Sequence, residues 1–199
     1  MHILTVLDQP DPKSFSRAVA SRFIEGAEAA GHTTELADLH AEGFNPVWRM
    51  EDFAQMADKP MPADVLAEQA RVERCDALCL VFPLWWWGMP AMMKGWVDRV
   101  FSWGWAYDQV EDPSPEASLL RPRPCVMLVP AGASPQEMEK HGYDKAMEAQ
   151  WLTGTLGYWG MKDNRLIVMH GSMGKAFRRE QHLETAYKTG MDIGQTQGR

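Results

Sequence analysis

ALCLVFPLWWWGMPAMMKGWVDRVF, residues 77–101, decides the fold. Ala77–Phe82 is an unbroken apolar run, the pattern of a strand buried on both faces of a parallel sheet. Pro90–Ser102 has helical spacing with proline in its first turn. Between strand and helix stand Trp85, Trp86 and Trp87, more indole than a connecting loop needs for its own sake.

The same alternation extends in both directions. Upstream, Met1–Leu7 reads as a strand and Phe15–Ala30 as a helix stopped by Gly31, followed by a strand over Thr33–Leu39 and a helix over Ala63–Arg74. Downstream, Pro124–Val129 and Arg165–Met169 read as strands, Tyr143–Trp159 as a helix ending at Gly160, and Lys175–Thr189 as a charged helix with Gly190 after it. Five βα units with right-handed crossovers predict an α/β, flavodoxin-like domain: a five-stranded, doubly wound parallel sheet with helices on both faces. A chain of 199 residues suits one such domain spanning 1–199. Glu42–Pro62 and Asp108–Arg123 stay irregular, and loops that long are often binding loops or lids.

Charge excludes some partners. The formal net charge of −7, from 20 basic and 27 acidic side chains without a basic cluster, argues against a nucleic-acid groove or an anionic lipid surface. No run approaches the roughly 18 apolar residues of a membrane span, and no leader pattern precedes the first strand, so a cytoplasmic protein without membrane insertion is expected. Cys75, Cys79 and Cys125 match no metal or redox spacing. Buried thiols are expected, with neither a disulfide nor a metal site.

In such a sheet the ligand crevice lies outside the carboxyl ends of the strands, where Asp8–Ser16, Pro83–Met89 and Pro130–Lys140 converge. Ser14 and Ser16 open a helix whose free N–H groups suit phosphate oxygens, although Ser14 serves equally as an N-cap. A glycine-rich dinucleotide fingerprint is absent from the first turn, which argues against a tightly held nicotinamide dinucleotide and leaves a flavin phosphate open. Indoles at the third strand's end can wall an isoalloxazine while backbone amides bond its edge; equally, they can cover a subunit interface. His141 is either a surface residue or a group that holds a proton for a reduced ring edge or a quinone oxygen.

FPLWWWGMPAMMKGWVDRVF with WAY (Trp105–Tyr107), KSFSRA (Lys13–Ala18), FNP (Phe44–Pro46) and AEQ (Ala67–Gln69) resembles the NAD(P)H:quinone oxidoreductases, the DT-diaphorase-like branch of the flavodoxin-like flavoproteins. The resemblance implies FAD, with FMN possible in relatives, and NAD(P)H as a transient co-substrate. It places Gln9, Ser14, Phe15, Ser16 and Gln69 on the phosphate and adenylate side. Pro83, Leu84, Trp85, Trp86 and Trp87 fall on the isoalloxazine, and Ala131, Gly132 and Ala133 at its pyrimidine edge. His141 stands as the active-site histidine, with Tyr143 a substitute for the tyrosine that the family sets before it. Tyr107, Trp87 and His141 form the substrate pocket, with Tyr107 reaching it from a partner subunit. Departures are Gln9 in place of a first-loop histidine and AGAS in place of a Thr-Thr-Gly-Gly turn.

The implied activity is two-electron, ping-pong reduction of a quinone-like acceptor by a homodimer, which would cover the surplus aromatic surface around Trp96, Trp103 and Trp105. FSWGWAYD, HGYD and GYWGMK (Gly157–Lys162) also resemble the ancillary flavoproteins of glutathione-gated potassium efflux systems, with the same fold and chemistry but a channel partner.

Overall fold

The computed structural model describes residues 1–57, 59–108, 118–173 and 178–195. Five strands, β1 (His2–Leu7), β2 (Thr33–Asp38), β3 (Ala77–Val81), β4 (Pro124–Pro130) and β5 (Lys162–Met169), form one sheet in the order β2-β1-β3-β4-β5. Every neighbouring pair is parallel. After β2 the chain crosses back over β1 to start β3, so the order reverses between β1 and β3 and leaves a crevice at their carboxyl ends.

Alternation along the strands sorts the core into two layers. Leu4, Val6, Leu78, Leu80, Met127 and Val129 point to one face, where they meet side chains of α2 (Ala63–Arg74) and α3 (Ala91–Val100). Ile3, Leu7, Cys79, Val81, Val126 and Leu128 point to the other, under α1 (Phe15–Ala29) and α6 (Arg179–Met191). The helices of that second layer approach until their backbones nearly touch. A Cβ on Gly26 would lie 2.0 Å from the Tyr187 carbonyl oxygen, and one on Gly190 would lie 2.0 Å from that of Phe23. Gly190 is therefore inside α6 as a packing residue rather than beyond it as a stop signal. Of the helical reading of Lys175–Thr189, residues 175–177 lie outside the described residues; α6 begins at Arg179.

Two further differences concern a predicted loop and the helix after it. Pro135–His141 is a short helix, α4, capped by Ser134, whose hydroxyl accepts from Glu137 N–H while the Glu137 carboxylate accepts from Ser134 N–H. The predicted helix over Tyr143–Trp159 is α5 (Tyr143–Met147) continued by a π-helical segment, Glu148–Gly157.

Glu42–Pro62 is no free lid. It contains a 3₁₀ segment, Met50–Met56, and it is riveted to α3 by Arg99, which is fully buried beside the equally buried Asp52. The guanidinium lies 3.0 Å from Asp52 Oδ1 and donates to Asp64 Oδ2 and the Asn45 carbonyl, each at 2.7 Å. The Asp64 carboxyl is held below its ordinary value chiefly by that Arg99 bond. Gly95 makes room for the contact, since a Cβ there would meet the Pro46 carbonyl oxygen at 2.2 Å. Most of Asp108–Arg123, residues 109–117, lies outside the described residues.

The three cysteines are free and buried. Burial pushes all three thiols up.

Candidate active site

The tryptophan loop is a tight reversal. Trp85 N–H donates to Gly88 O at 3.2 Å and Gly88 N–H returns to Trp85 O at 2.9 Å. The two residues between them, Trp86 (φ 49°) and Trp87 (φ 60°), are both in the left-handed region. That pair of positive φ values is the mark of a type I′ turn, which Asn and Gly adopt readily and tryptophan does not. Non-glycine residues held there store about 1–3 kcal/mol each, and such strain clusters at functional sites. The turn aims its indoles outward: Trp86 is 94% exposed and Trp87 37%.

Neighbouring loops fix where this turn sits. Leu84 N–H donates to Pro130 O at 2.8 Å, tying it to the end of β4. Beyond β4, Ala131 bonds Met169 O at 3.0 Å, Ser172 bonds Ala131 O at 2.9 Å and Gly171 bonds Ala133 O at 3.2 Å. The segment after β5 thus splints the Ala131–Ala133 loop. Asp8, buried at the end of β1, accepts from Met93 N–H and contacts His40 Nε2, each at 2.8 Å.

An open cleft of about 400 Å³ results, lined by Trp87, Gly132, Ala133, Glu137, His141 and Tyr143. Trp87 and Tyr143 stack face to face, with ring centroids 3.9 Å apart at 14°, and His141 lies 5.5 Å from the Tyr143 ring. The Ser134 N–H and hydroxyl hold the Glu137 carboxyl below its ordinary value, and His141 adds to the effect. Among the described residues the N–H groups of Trp86, Trp87, Gly132 and Ala133 have no acceptor. Donors left unspent around a flat cleft fit the carbonyl oxygens and ring nitrogens of an isoalloxazine.

The first loop lies at the start of α1. Ser14 is the N-cap, its hydroxyl accepting from Arg17 N–H at 3.2 Å, so the capping role is present. Gln9 Oε1 accepts from Asp11 N–H at 3.2 Å, and Ser16 is buried. Phe15 is half-buried beneath the Arg179 guanidinium, 5.3 Å from its ring centroid, and packs 6.2 Å from the His182 ring.

Several expected residues are elsewhere. Gln69 is buried between α2 and the far end of α3, its amide donating to Val100 O at 2.9 Å and Ser102 Oγ at 3.0 Å. That end is about 15 Å along the helix from the tryptophan turn. Gln69 is a structural residue and not part of this cleft. Trp96 is no surface residue either: it is fully buried, and its indole N–H donates to Glu68 at 2.8 Å. Tyr107 faces a second groove with Tyr158, Trp48 and Trp159, apart from the Trp87 cleft of its own chain.

Sequence reasoning missed four residues beside the first and third loops. They are Arg179 and His182 of α6, His170, whose Nδ1 is 3.3 Å from Ala133 O, and Met173, whose sulfur would lie 3.3 Å from a Cβ on Gly132. Burial lowers the His170 pKa, with His182 acting in the same direction. The available signal was the position of HGSM directly after the fifth apolar run. Among the described residues no group of three His, Cys, Asp or Glu could hold a metal ion, and no helix is long and apolar enough to cross a membrane.

Known proteins share this fold. The flavodoxin-like fold family matches residues 1–189. The structure of an NAD(P)H:quinone oxidoreductase from Methanothermobacter marburgensis superposes with a TM-score of 0.88 at 34% identity, covering 96% of this chain and 98% of that one. An uncharacterized NAD(P)H oxidoreductase of Haemophilus influenzae is 28% identical over 162 residues, 81% of this chain and 79% of the relative. NAD(P)H dehydrogenase [quinone] 1 of Cavia porcellus is 31% identical over 121 residues, a match that takes in 52% of this chain and 44% of that longer protein. With the parallel sheet, the crevice at its reversal and a close structural counterpart along nearly its whole length, the chain belongs to the flavodoxin-like fold family, in its NAD(P)H:quinone oxidoreductase branch.

Proposed function

We propose that this protein reduces quinones or similar planar acceptors by two electrons at the expense of NAD(P)H, through a flavin held at the Trp85–Gly88 turn. The observation that carries the reading is the set of four unspent N–H groups, from Trp86, Trp87, Gly132 and Ala133, around an aromatic cleft. A bound flavin supplies two-electron acceptance from a nicotinamide and its onward delivery.

The chain's own residues do the rest. Pro83 and Leu84 set the floor at the end of β3, Trp85, Trp86 and Trp87 exclude water from the ring faces, and Ala131–Ala133 bring backbone close without side-chain bulk. Gln9, Ser14, Phe15 and Ser16 form the phosphate side, where Arg179 adds a cation at the start of α6. His141 stands at the open rim, where a reduced quinone oxygen needs a proton. FAD is the proposed form, as the resemblance to the NAD(P)H:quinone oxidoreductases implies, with FMN the alternative that chromatography separates.

Donor and acceptor use one cleft in turn, so the kinetics are ping-pong. Parallel double-reciprocal lines are expected; intersecting lines would overturn the scheme. A homodimer is proposed to cover the exposed row Val47, Trp48, Met50, Phe53 and Met56 and to present Tyr107 to the partner's cleft. A monomer by light scattering at micromolar concentration would remove it. The channel-partner reading finds no support among the relatives described above. The deciding experiment is release and chromatography of the bound chromophore with an NAD(P)H bleaching assay. Flavin bands that bleach and recover on adding a quinone support the reading, and a chain that neither binds flavin nor oxidises NAD(P)H sinks it.

A further inference from the structure

Trp87 and Tyr143 are joined in an unusual way for two cleft residues. Their ring planes are 14° apart with centroids at 3.9 Å, closer and flatter than the offset or edge-on pairs that aromatic side chains generally adopt. The partners are unequal. Trp87 is clamped by the reciprocal Trp85 and Gly88 hydrogen bonds. Tyr143 follows Gly142, the left-handed joint (φ 71°) between α4 and α5, and among the described residues its hydroxyl has no hydrogen-bond partner. The phenol is held by the stack, the tilted His141 ring and packing against the core, all of them contacts without direction.

We propose that the Tyr143 ring is a displaceable occupant of the flat-ring position on Trp87: it covers that face between substrate visits, and an incoming planar acceptor expels it. The proposal rests on the reading of the cleft as the acceptor site. A ring that belongs to the chain competes with every ligand needing the same face, so the apparent affinity falls by the fraction of time the face is free. A cover suits a ligand that arrives and leaves each cycle, because it shields the indole from water in the interval. His141, 5.5 Å from the phenol, is then beside the acceptor once the phenol has gone. The selectivity that follows is specific. Planar acceptors pay the displacement, whereas an octahedral complex such as ferricyanide, which cannot stack, does not depend on it.

The test uses the flavin-loaded full chain with Tyr143→Ala, Tyr143→Leu and Tyr143→Phe, a naphthoquinone and ferricyanide. Tyr143→Ala and Tyr143→Leu are expected to lower the naphthoquinone KM about three- to tenfold, the scale of one aromatic stack, and to leave the ferricyanide KM unchanged. Tyr143→Phe, which keeps the ring, is expected to keep the parent's KM for both acceptors. A raised naphthoquinone KM in the alanine and leucine variants makes Tyr143 a binding contact, a drop in kcat in the phenylalanine variant makes it a proton donor, and equal KM values for all variants make the stack inert; each overturns the proposal. The far-ultraviolet circular dichroism couplet of the stacked pair, read as parent minus Tyr143→Ala without substrate, must also be present. A couplet without any NAD(P)H-driven turnover would leave the stack standing and fell the functional reading instead.

Discussion

The N–H of Met93 donates to Oδ2 of Asp8 across 2.8 Å, fastening the first turn of α3 to the end of β1. The tryptophan turn runs from β3 into this anchored first turn of α3, so the bond fixes the turn's exit. Asp8 is only 2% exposed, and its carboxylate also answers the positive end of α3. Asp8→Ala is expected to cost about 2–3 kcal/mol, the scale of a charge-assisted buried bond, and to weaken flavin binding. A urea midpoint within error of the parent, with the same m value, would contradict it.

Arg99 and Asp52 are both fully buried, and neither has water to fall back on. Removing Asp52 leaves the buried guanidinium with Asp64 and the Asn45 carbonyl but without its buried counter-charge, so Asp52→Ala should destabilise the protein by about 3 kcal/mol, the low end for a broken buried pair. The double variant Asp52→Ala, Arg99→Met should recover much of that loss. Equal destabilisation in the single and double variants would mean that the pair carries no coupling.

At the contact between α1 and α6 a methyl group has nowhere to go. Gly190→Ala and Gly26→Ala each place a Cβ 2.0 Å from a carbonyl oxygen, and separation of the helices should cost about 2–3 kcal/mol, or roughly 5–10 °C in Tm for a chain of this size. Gly104→Ala, where no atom lies within 4 Å but φ is 79°, should lose only about 1 kcal/mol. Similar losses at all these positions would show that backbone conformation and not close approach sets the effect.

Trp86 combines a φ of 49° with 94% exposure, a combination that folding alone does not favour. Trp86→Gly should leave stability unchanged or raise it by up to about 1 kcal/mol, while flavin affinity falls about tenfold. Thermal unfolding of the flavin-free protein and a flavin titration measure the two effects separately. A marked loss of stability would show that the indole serves the fold.

Two titrating groups, the half-buried His170 and the buried Glu68, bend the stability curve in opposite directions. The folded-state pKa of His170 is lowered from 6.5 by burial, so the unfolded chain binds the proton more readily. Its contribution is complete above 6.5 and is lost as pH falls through the folded value. Burial raises Glu68 above 4.5, so its contribution is complete below 4.5 and is lost as pH rises through its folded value. Unfolding free energies against pH should lose the first slope in His170→Gln and the second in Glu68→Gln. Parallel curves for parent and variants would refute both assignments.

Much of this was legible in the sequence because the signals were local. Ala77–Val81 is apolar at every position since both of its faces are covered, and the proline and tryptophans after it mark where the strand meets the crevice. Gln69 was misplaced because a polar residue near a helix centre looks alike whether it reaches a ligand or caps another helix's end; only the distance to Val100 and Ser102 separates the two. Trp96 looked like surplus surface because its partner, Glu68, is 28 residues away. The capping box of α4, Ser134 to Glu137, was readable as a helix start, but AGAS before it drew attention to backbone approach.

The segment Glu148–Gly157 has a further consequence. Its backbone is π-helical, with bonds that skip one residue more than an α-helix does; the Thr155 hydroxyl likewise donates to the Gln150 carbonyl, five positions back, at 3.0 Å, and the two inward side chains, Trp151 and Leu156, are also five apart. A residue deleted here to restore ordinary helical pitch would rotate everything after it by about a quarter-turn. Tyr158 and Trp159 would swing away from Tyr107 and Phe101. Length in this stretch therefore acts as a phase setting, and relatives with one residue fewer would have to line the Tyr107 groove with different side chains.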